Sequence, residues 1–308
     1  MSGFSASEAA LEGFRITREN PRAFGAWIAA SFGVSVVAAI AEVLMPASVK
    51  HGLETMNSDV TPTASQFIDA LIVISPILLL GLAVQCIMAA AVYRVIFRHE
   101  DTRFGYLRIG MDELRLMALT LVYVVLGMGL SVGVTMVAAF ITAISAVGGG
   151  GVEALVGKLA GFASLGVMFF VLVRLSLAPV ATFAERRVAV FESWGLTKGQ
   201  FWRLSGAYVL ALCCIAVIIL LTMAIIFGIA GAIILTSGGQ LSDVKGVFNT
   251  DQTSLRSYLS IGVIVSMVVS SFISALWNVV LAAPGAAAYQ QLHGTPPSLP
   301  LGDQPEAG

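Results

Sequence analysis

Long apolar runs alternate with short basic segments along this chain. Six runs are long enough to cross a bilayer, which takes about 20 mostly apolar residues in a helix. They cover roughly Ala23 to Met45, Phe67 to Phe97, Leu114 to Val147, Leu159 to Ala184, Phe201 to Leu235 and Tyr258 to Tyr289. Pro46 stops the first, the glycines Gly148 to Gly151 end the third, and Pro76, Pro179 and Pro284 lie inside the second, fourth and sixth. The pattern predicts an all-α, polytopic transmembrane helical bundle of six spans. Several runs exceed the bilayer thickness and imply tilt or extension beyond it. A seventh span would need the third or fifth run to break, and neither is long enough to cross twice.

The segments ahead of the odd-numbered spans mix apolar and basic residues and predict short cytoplasmic interfacial helices. Set in register on Thr17, Gly110 and Thr197, they read Phe14-Arg15-Ile16 with Pro21-Arg22, Leu107-Arg108-Ile109 with Leu114-Arg115, and Trp194-Gly195-Leu196 with Phe201-Trp202. Two readings stay open: three parallel helical-hairpin repeats, or three independent amphipathic anchors. The chain divides into a cytoplasmic N-terminal segment with its interfacial helix (1–22), a six-span membrane domain (23–289) and a disordered Pro- and Gly-rich cytoplasmic tail (290–308).

Composition agrees. Of 308 residues, 57% are hydrophobic and only 11% charged, and the mean hydropathy is +0.91. A soluble surface needs about twice that share of charge. No cleavable leader is predicted, because Glu8, Glu12, Arg15, Arg18, Glu19 and Arg22 occupy the start. The net charge of −1 hides a strong asymmetry. Arg15, Arg18, Arg22, Arg94, Arg98, Arg103, Arg108, Arg115, Arg186, Arg187, Lys198 and Arg203 fall on one side of the six-span topology, against Lys50, Lys158, Lys245 and Arg256 on the other. The positive-inside rule puts the first group, and both termini, in the cytoplasm of a cell whose inner (plasma) membrane holds the protein.

Ionisable groups at membrane depth are functional candidates. Arg174 lies inside the fourth run. Its candidate partners are Glu185, across the Pro179 kink, and Gln85 and Asn278 at similar depth in spans two and six. Such a cluster would bind an anionic head group or a carboxylate. Alternatively Arg174 is a structural lock, bonded to carbonyls freed by Pro179. Span six carries small and polar residues at four-residue spacing, Gly262, Ser266, Ser270, Ser274 and Asn278, and span three carries Gly129 and Gly133. These suit close helix packing; a polar pathway is the sharper reading of the first. Glu42 and Asp69 fall near the outer interface, where a carboxylate is solvated. Trp194, Phe201, Trp202 and Arg203 suit interfacial anchoring next to anionic lipid.

Arg174-Leu-Ser-Leu-Ala-Pro179, then Glu185, then Ser193-Trp194 and Lys198-Gly-Gln-Phe201-Trp202, leads into span five. This stretch resembles the membrane domain that precedes the catalytic barrel in some bacterial glycerophosphodiester phosphodiesterases, and related stand-alone multi-span proteins of unknown function. The likeness covers about 174–204 by motif and the rest by hydropathy only. It implies the membrane architecture, without the phosphodiesterase activity: no stretch of this sequence could hold the barrel, and the histidines are only His51, His99 and His293.

Cys86, Cys213 and Cys214 sit in apolar runs without ligand-like neighbours and read as packing residues. No metal, cofactor or nucleic-acid motif is present. The chain reads as a non-catalytic scaffold, accessory or lipid-organising membrane protein whose partners are anionic head groups on the cytoplasmic side, a second copy or other membrane proteins. The alternative is a transporter or amphiphile-handling protein using the cluster around Arg174. An intramembrane enzyme would need converging acids, bases or a metal that the spans do not offer.

Overall fold

The computed structural model describes residues 5–46, 50, 64–98, 103–147, 152–238, 240 and 255–293. Among these the regular structure is helical, without strands. Six helices are long and apolar enough to cross a membrane: Pro21–Leu44, Ile74–Phe97, Phe104–Ser145, Leu155–Glu185, Phe201–Thr236 and Ile261–Leu292. The protein is a multi-pass membrane protein built as an all-α bundle.

In chain order the elements are α1 (Ala6–Glu19), α2 (Pro21–Leu44), α3 (Ala64–Phe97), α4 (Met111–Val147), α5 (Val152–Leu175), α6 (Ala178–Glu185), α7 (Glu192–Leu196), α8 (Phe201–Thr236) and α9 (Ile261–His293). One-turn 3₁₀ segments stand at Arg103–Tyr106 and Ser257–Leu259.

The break between α1 and α2 follows from Asn20-Pro21. A residue before proline is pushed out of the helical region, whereas proline itself suits the first helical position. Asn20 leaves helical geometry and its backbone N–H closes α1 on the Ile16 carbonyl at 2.9 Å. At the other end the Ser5 hydroxyl accepts from the Glu8 backbone at 3.4 Å. Ala9, Ala10, Gly13 and Ile16 form one buried stripe on α1, which packs on α9 and α8. The predicted interfacial helix is thus also part of the bundle. Gly13 is what permits this: a Cβ there would stand 2.9 Å from the Val280 Cα.

The fourth apolar run is not one helix, as its hydropathy predicts, but two, α5 and α6, broken at Ser176–Leu177. Proline lacks an N–H and crowds the carbonyl four residues back. For Pro179 that carbonyl belongs to Leu175, and the Tyr123 hydroxyl of α4 donates to it at 3.0 Å. The Arg174 carbonyl accepts from the Ser193 hydroxyl at 2.6 Å, and that hydroxyl accepts from the Leu177 backbone at 3.2 Å. The groups released by the break are therefore satisfied by α4 and α7.

The three segments proposed to begin repeats differ in structure. The first is a 14-residue helix. The second, Leu107-Arg108-Ile109, is non-helical and follows a 3₁₀ turn in which Phe104, Gly105 and Tyr106 all have positive φ. The third is the five-residue α7. Gly105 suits its place twice over, since a Cβ would also lie 2.8 Å from that of Ala26. Its carbonyl accepts from the buried Trp27 indole at 2.7 Å, tying this turn to α2.

α1, the turn before α4, the end of α6 and the last turns of α9 all gather at one end of the bundle. Gln290 donates from α9 to the Ile96 carbonyl at 3.2 Å, and Tyr289 to Glu185 at 3.3 Å. Helix α9 reaches His293, into the segment predicted as tail. The rest of that tail, and Gly148 to Gly151, lie outside the described residues.

Candidate functional site: an arginine-lined cavity at one end of the bundle

Arg94 lies in the last turn of α3 and Arg98 just past its end, where its N–H still bonds the Arg94 carbonyl at 2.7 Å, so the two share a face. Asp112 and Glu113 open α4, where the helix N-terminus favours acids. The 3₁₀ turn folds these ends together. Arg94 pairs with Glu113 at full burial, the two residues being 3% and 5% exposed. The Arg94 guanidinium also donates to the Tyr106 carbonyl at 2.9 Å and lies 5.9 Å from the Phe183 ring centre. Charges removed from water persist only with close partners and further hydrogen bonds, and this pair has both. One carboxylate oxygen of Glu113, Oε2, has no hydrogen-bond partner.

Around this pair a cavity of about 380 Å³ opens. Arg94, Arg98, Arg108, Arg115 and Arg186 line it, against the carboxylates of Asp112 and Glu113. Asp112 takes both Arg98, at 3.0 Å, and Arg115, at 2.9 Å. Arg98 also stacks on Phe183, 4.8 Å from the ring centre. Arg186 ends α6 in a left-handed conformation, with φ of 54°, and enters no ion pair among the described residues. Arginine's planar fork is suited to phosphate and carboxylate oxygens, so Arg186, beside an Asp112 that Arg98 and Arg115 already share, gives the site capacity for one anion.

Arg174 is built differently. Its guanidinium donates to Thr197 Oγ1 at 3.3 Å and to the Trp194 carbonyl at 3.5 Å. Phe170, Trp194 and Phe201 surround it, their ring centres 5.3, 5.5 and 5.9 Å from its central carbon. It rests at the C-terminal end of α7, where the helix dipole favours a cation. Its Nε is buried without a partner.

The sequence-derived cluster does not assemble. The side-chain hydrogen bonds and ring contacts of Arg174 come from α5, α7, Thr197 just past α7, and the start of α8. Gln85 is exposed on α3, and Asn278 donates to the Ser274 carbonyl of its own helix at 2.8 Å. Glu185 meets Arg187 at 2.7 Å and Tyr289, not Arg174. Nor are the carbonyls freed by Pro179 the ones Arg174 holds. Arg187 also reaches Glu192 at 2.6 Å; the bond to Glu185, followed by the charge of Glu192, pushes its guanidinium pKa up.

The packing residues move as well. Gly129 and Gly133 are exposed on α4, with nothing near a Cβ at either. Ser270 and Ser274 are exposed, and Gly262 and Ser266 half-buried. The buried seam of α9 is Ser271, Ala275, Val279, Ala283 and Ala286 instead. Of the anchors, Trp194 and Phe201 turn toward Arg174, whereas Trp202 and Arg203 are exposed. Glu42 accepts from the Tyr258 hydroxyl at 2.7 Å, tying α2 to the turn before α9. The Asp69 side chain lies outside the described residues.

The Arg94–Glu113 pair escaped sequence reasoning because Arg94 reads as part of a basic loop. The available signal was the spacing of Arg94 and Arg98 set against Asp112-Glu113 at the next helix start.

Comparison of the chain with family models, with curated proteins and with solved structures gives no match.

Proposed function

We propose that this membrane protein works without catalysis, by holding an anionic phospholipid head group in the arginine-lined cavity and so organising lipid at that face. The reading places the arginine-rich end and both termini in the cytoplasm, following the charge asymmetry of the sequence. The observation that carries it is the cavity itself, in which Arg186 enters no ion pair among the described residues beside Arg98, Arg108 and Arg115. The exposed Trp202 and Arg203 suit the same interface. The resemblance of 174–204 to the membrane domain of lipid-related phosphodiesterases fits such a role. A transporter centred on Arg174 draws less support, because three aromatic rings and α7 enclose that guanidinium.

The test is thermal unfolding in nanodiscs of phosphatidylglycerol against phosphatidylcholine. A ligand that binds only the folded state raises stability by about 2.7 kcal/mol at a hundredfold excess over its dissociation constant. The reading expects stabilisation by phosphatidylglycerol that shrinks in Arg186→Gln. Equal stability in both lipids would end it.

A further inference from the structure

A second cavity, of about 330 Å³, lies at membrane depth between α3, α4, α5, α6, α8 and α9. Its walls are apolar apart from Ser176 and three phenols, Tyr93, Tyr123 and Tyr208. Two of these hydroxyls are engaged: Tyr123 with the Leu175 carbonyl, and Tyr208 with the Ser176 side chain. The third is not. Tyr93 is 4% exposed, it lines the cavity, and its hydroxyl has no hydrogen-bond partner among the described residues. The Tyr93 hydroxyl is not among the enclosed unpaired atoms, which are Glu113 Oε2 and Arg174 Nε among the described residues, so it is open to the cavity, where an acceptor would complete it.

A lipid can supply the partner. Leu126 and Leu172, on two sides of the cavity, are 39% and 62% exposed on the outer surface of the bundle, so the cavity opens sideways. Tyr93 lies four residues before Phe97, where its span ends. At 1.5 Å per residue this is about 6 Å from that end, near the boundary between hydrocarbon and head groups. At that depth a glycerolipid carries its ester carbonyls, which are acceptors, with a chain below them.

We propose that this crevice binds one chain of an ester-linked glycerolipid, its ester carbonyl accepting from the Tyr93 hydroxyl. The site is independent of the head-group cavity. The Phe183 ring stands between them, 5.5 Å from the Tyr93 ring on one side and 4.8 Å from Arg98 on the other. The ring of Tyr93→Phe keeps its contact with Phe183, and Gly127→Leu fills the crevice from a position where a Cβ meets nothing within 4 Å.

The experiment is native mass spectrometry of the full chain from nanodiscs containing equal amounts of diacyl (ester) and dialkyl (ether) phosphatidylglycerol. Besides the lipid of the head-group cavity, wild type is expected to retain one further lipid, with the ester form favoured about 3- to 10-fold, the worth of one net hydrogen bond. Tyr93→Phe is expected to bring that ratio to one without loss of folded protein, and Gly127→Leu to abolish the selective adduct. Arg186→Gln is expected to leave the ratio unchanged. A ratio of one in wild type, its survival in Tyr93→Phe or Gly127→Leu, or its loss in Arg186→Gln would each overturn the proposal.

Discussion

The two ends of the bundle are held by different means. At the arginine-rich end, α1, the 3₁₀ turn, α6, α7 and the ends of α3, α8 and α9 interlock around Trp27, Arg94, Glu113 and Phe183, all nearly inaccessible. Away from it, α4 and α8 present Val132, Met136, Phe140, Ile225, Ile229 and Ile233 outward. Lipid tails are as apolar as these side chains, so no hydrophobic force draws the helices together there. The tertiary structure is thus specified at one end by hydrogen bonds, an ion pair and close backbone contact. The remaining length of the spans is fixed by the need to match the bilayer.

That contrast breaks most clearly at Glu113. Glu113→Ala leaves Arg94 buried without its counter-charge, which costs about 3–5 kcal/mol. Phe140→Ala, on the lipid-facing part of α4, should change stability by about 0.5 kcal/mol or less. Reversible unfolding in mixed micelles measures both, and similar losses would refute the contrast. Two substitutions come next, each expected at about 1–3 kcal/mol. Gly13→Leu drives a side chain into the Val280 backbone and should release α1, seen as faster amide hydrogen exchange over Ala6–Glu19. Ser193→Ala strands the Leu177 N–H and the Arg174 carbonyl at the α5–α6 break, and the same unfolding assay reads it.

A smaller loss belongs to the opposite end. Tyr258→Phe removes the bond to Glu42 and should cost about 0.5–1.5 kcal/mol. Burial first, and then the bond to Glu42, push the Tyr258 pKa up to about 12 from its ordinary 10.0. A raised pKa means the bond's contribution is complete below the ordinary value and vanishes as pH rises through the folded one. The difference between wild type and Tyr258→Phe should therefore stay flat from about pH 6 to 9 and shrink at higher pH. A difference that grew over that upper range would contradict the sign.

The spans were legible because hydropathy over twenty residues is a strong signal, and the helix break between α1 and α2 because Asn-Pro has a local cause. The division of the fourth run was half legible. Pro179 announces a break, but Tyr123 and Ser193, which satisfy it, lie far along the chain. The placement of Arg174 was not legible. Depth counted along separate helices sets Gln85 and Asn278 level with it, but says nothing of the face each presents, and both turn away. The Arg94–Glu113 pair depends on a turn of three positive-φ residues that no periodicity announces. The four-residue stripe on α9 was real as a pattern, yet the buried seam runs beside it.

The central claim, that the arginine-lined cavity holds an anionic head group, is tested most directly by titrating short-chain phosphatidylglycerol into the detergent-solubilised protein in a calorimeter. The account predicts one saturable site per chain that phosphatidylglycerol fills and phosphatidylcholine does not, with affinity about fivefold weaker in Arg186→Gln, as the loss of one arginine near a lipid surface implies. Absence of saturable heat, or equal affinity for both lipids in wild type and variant, would contradict it.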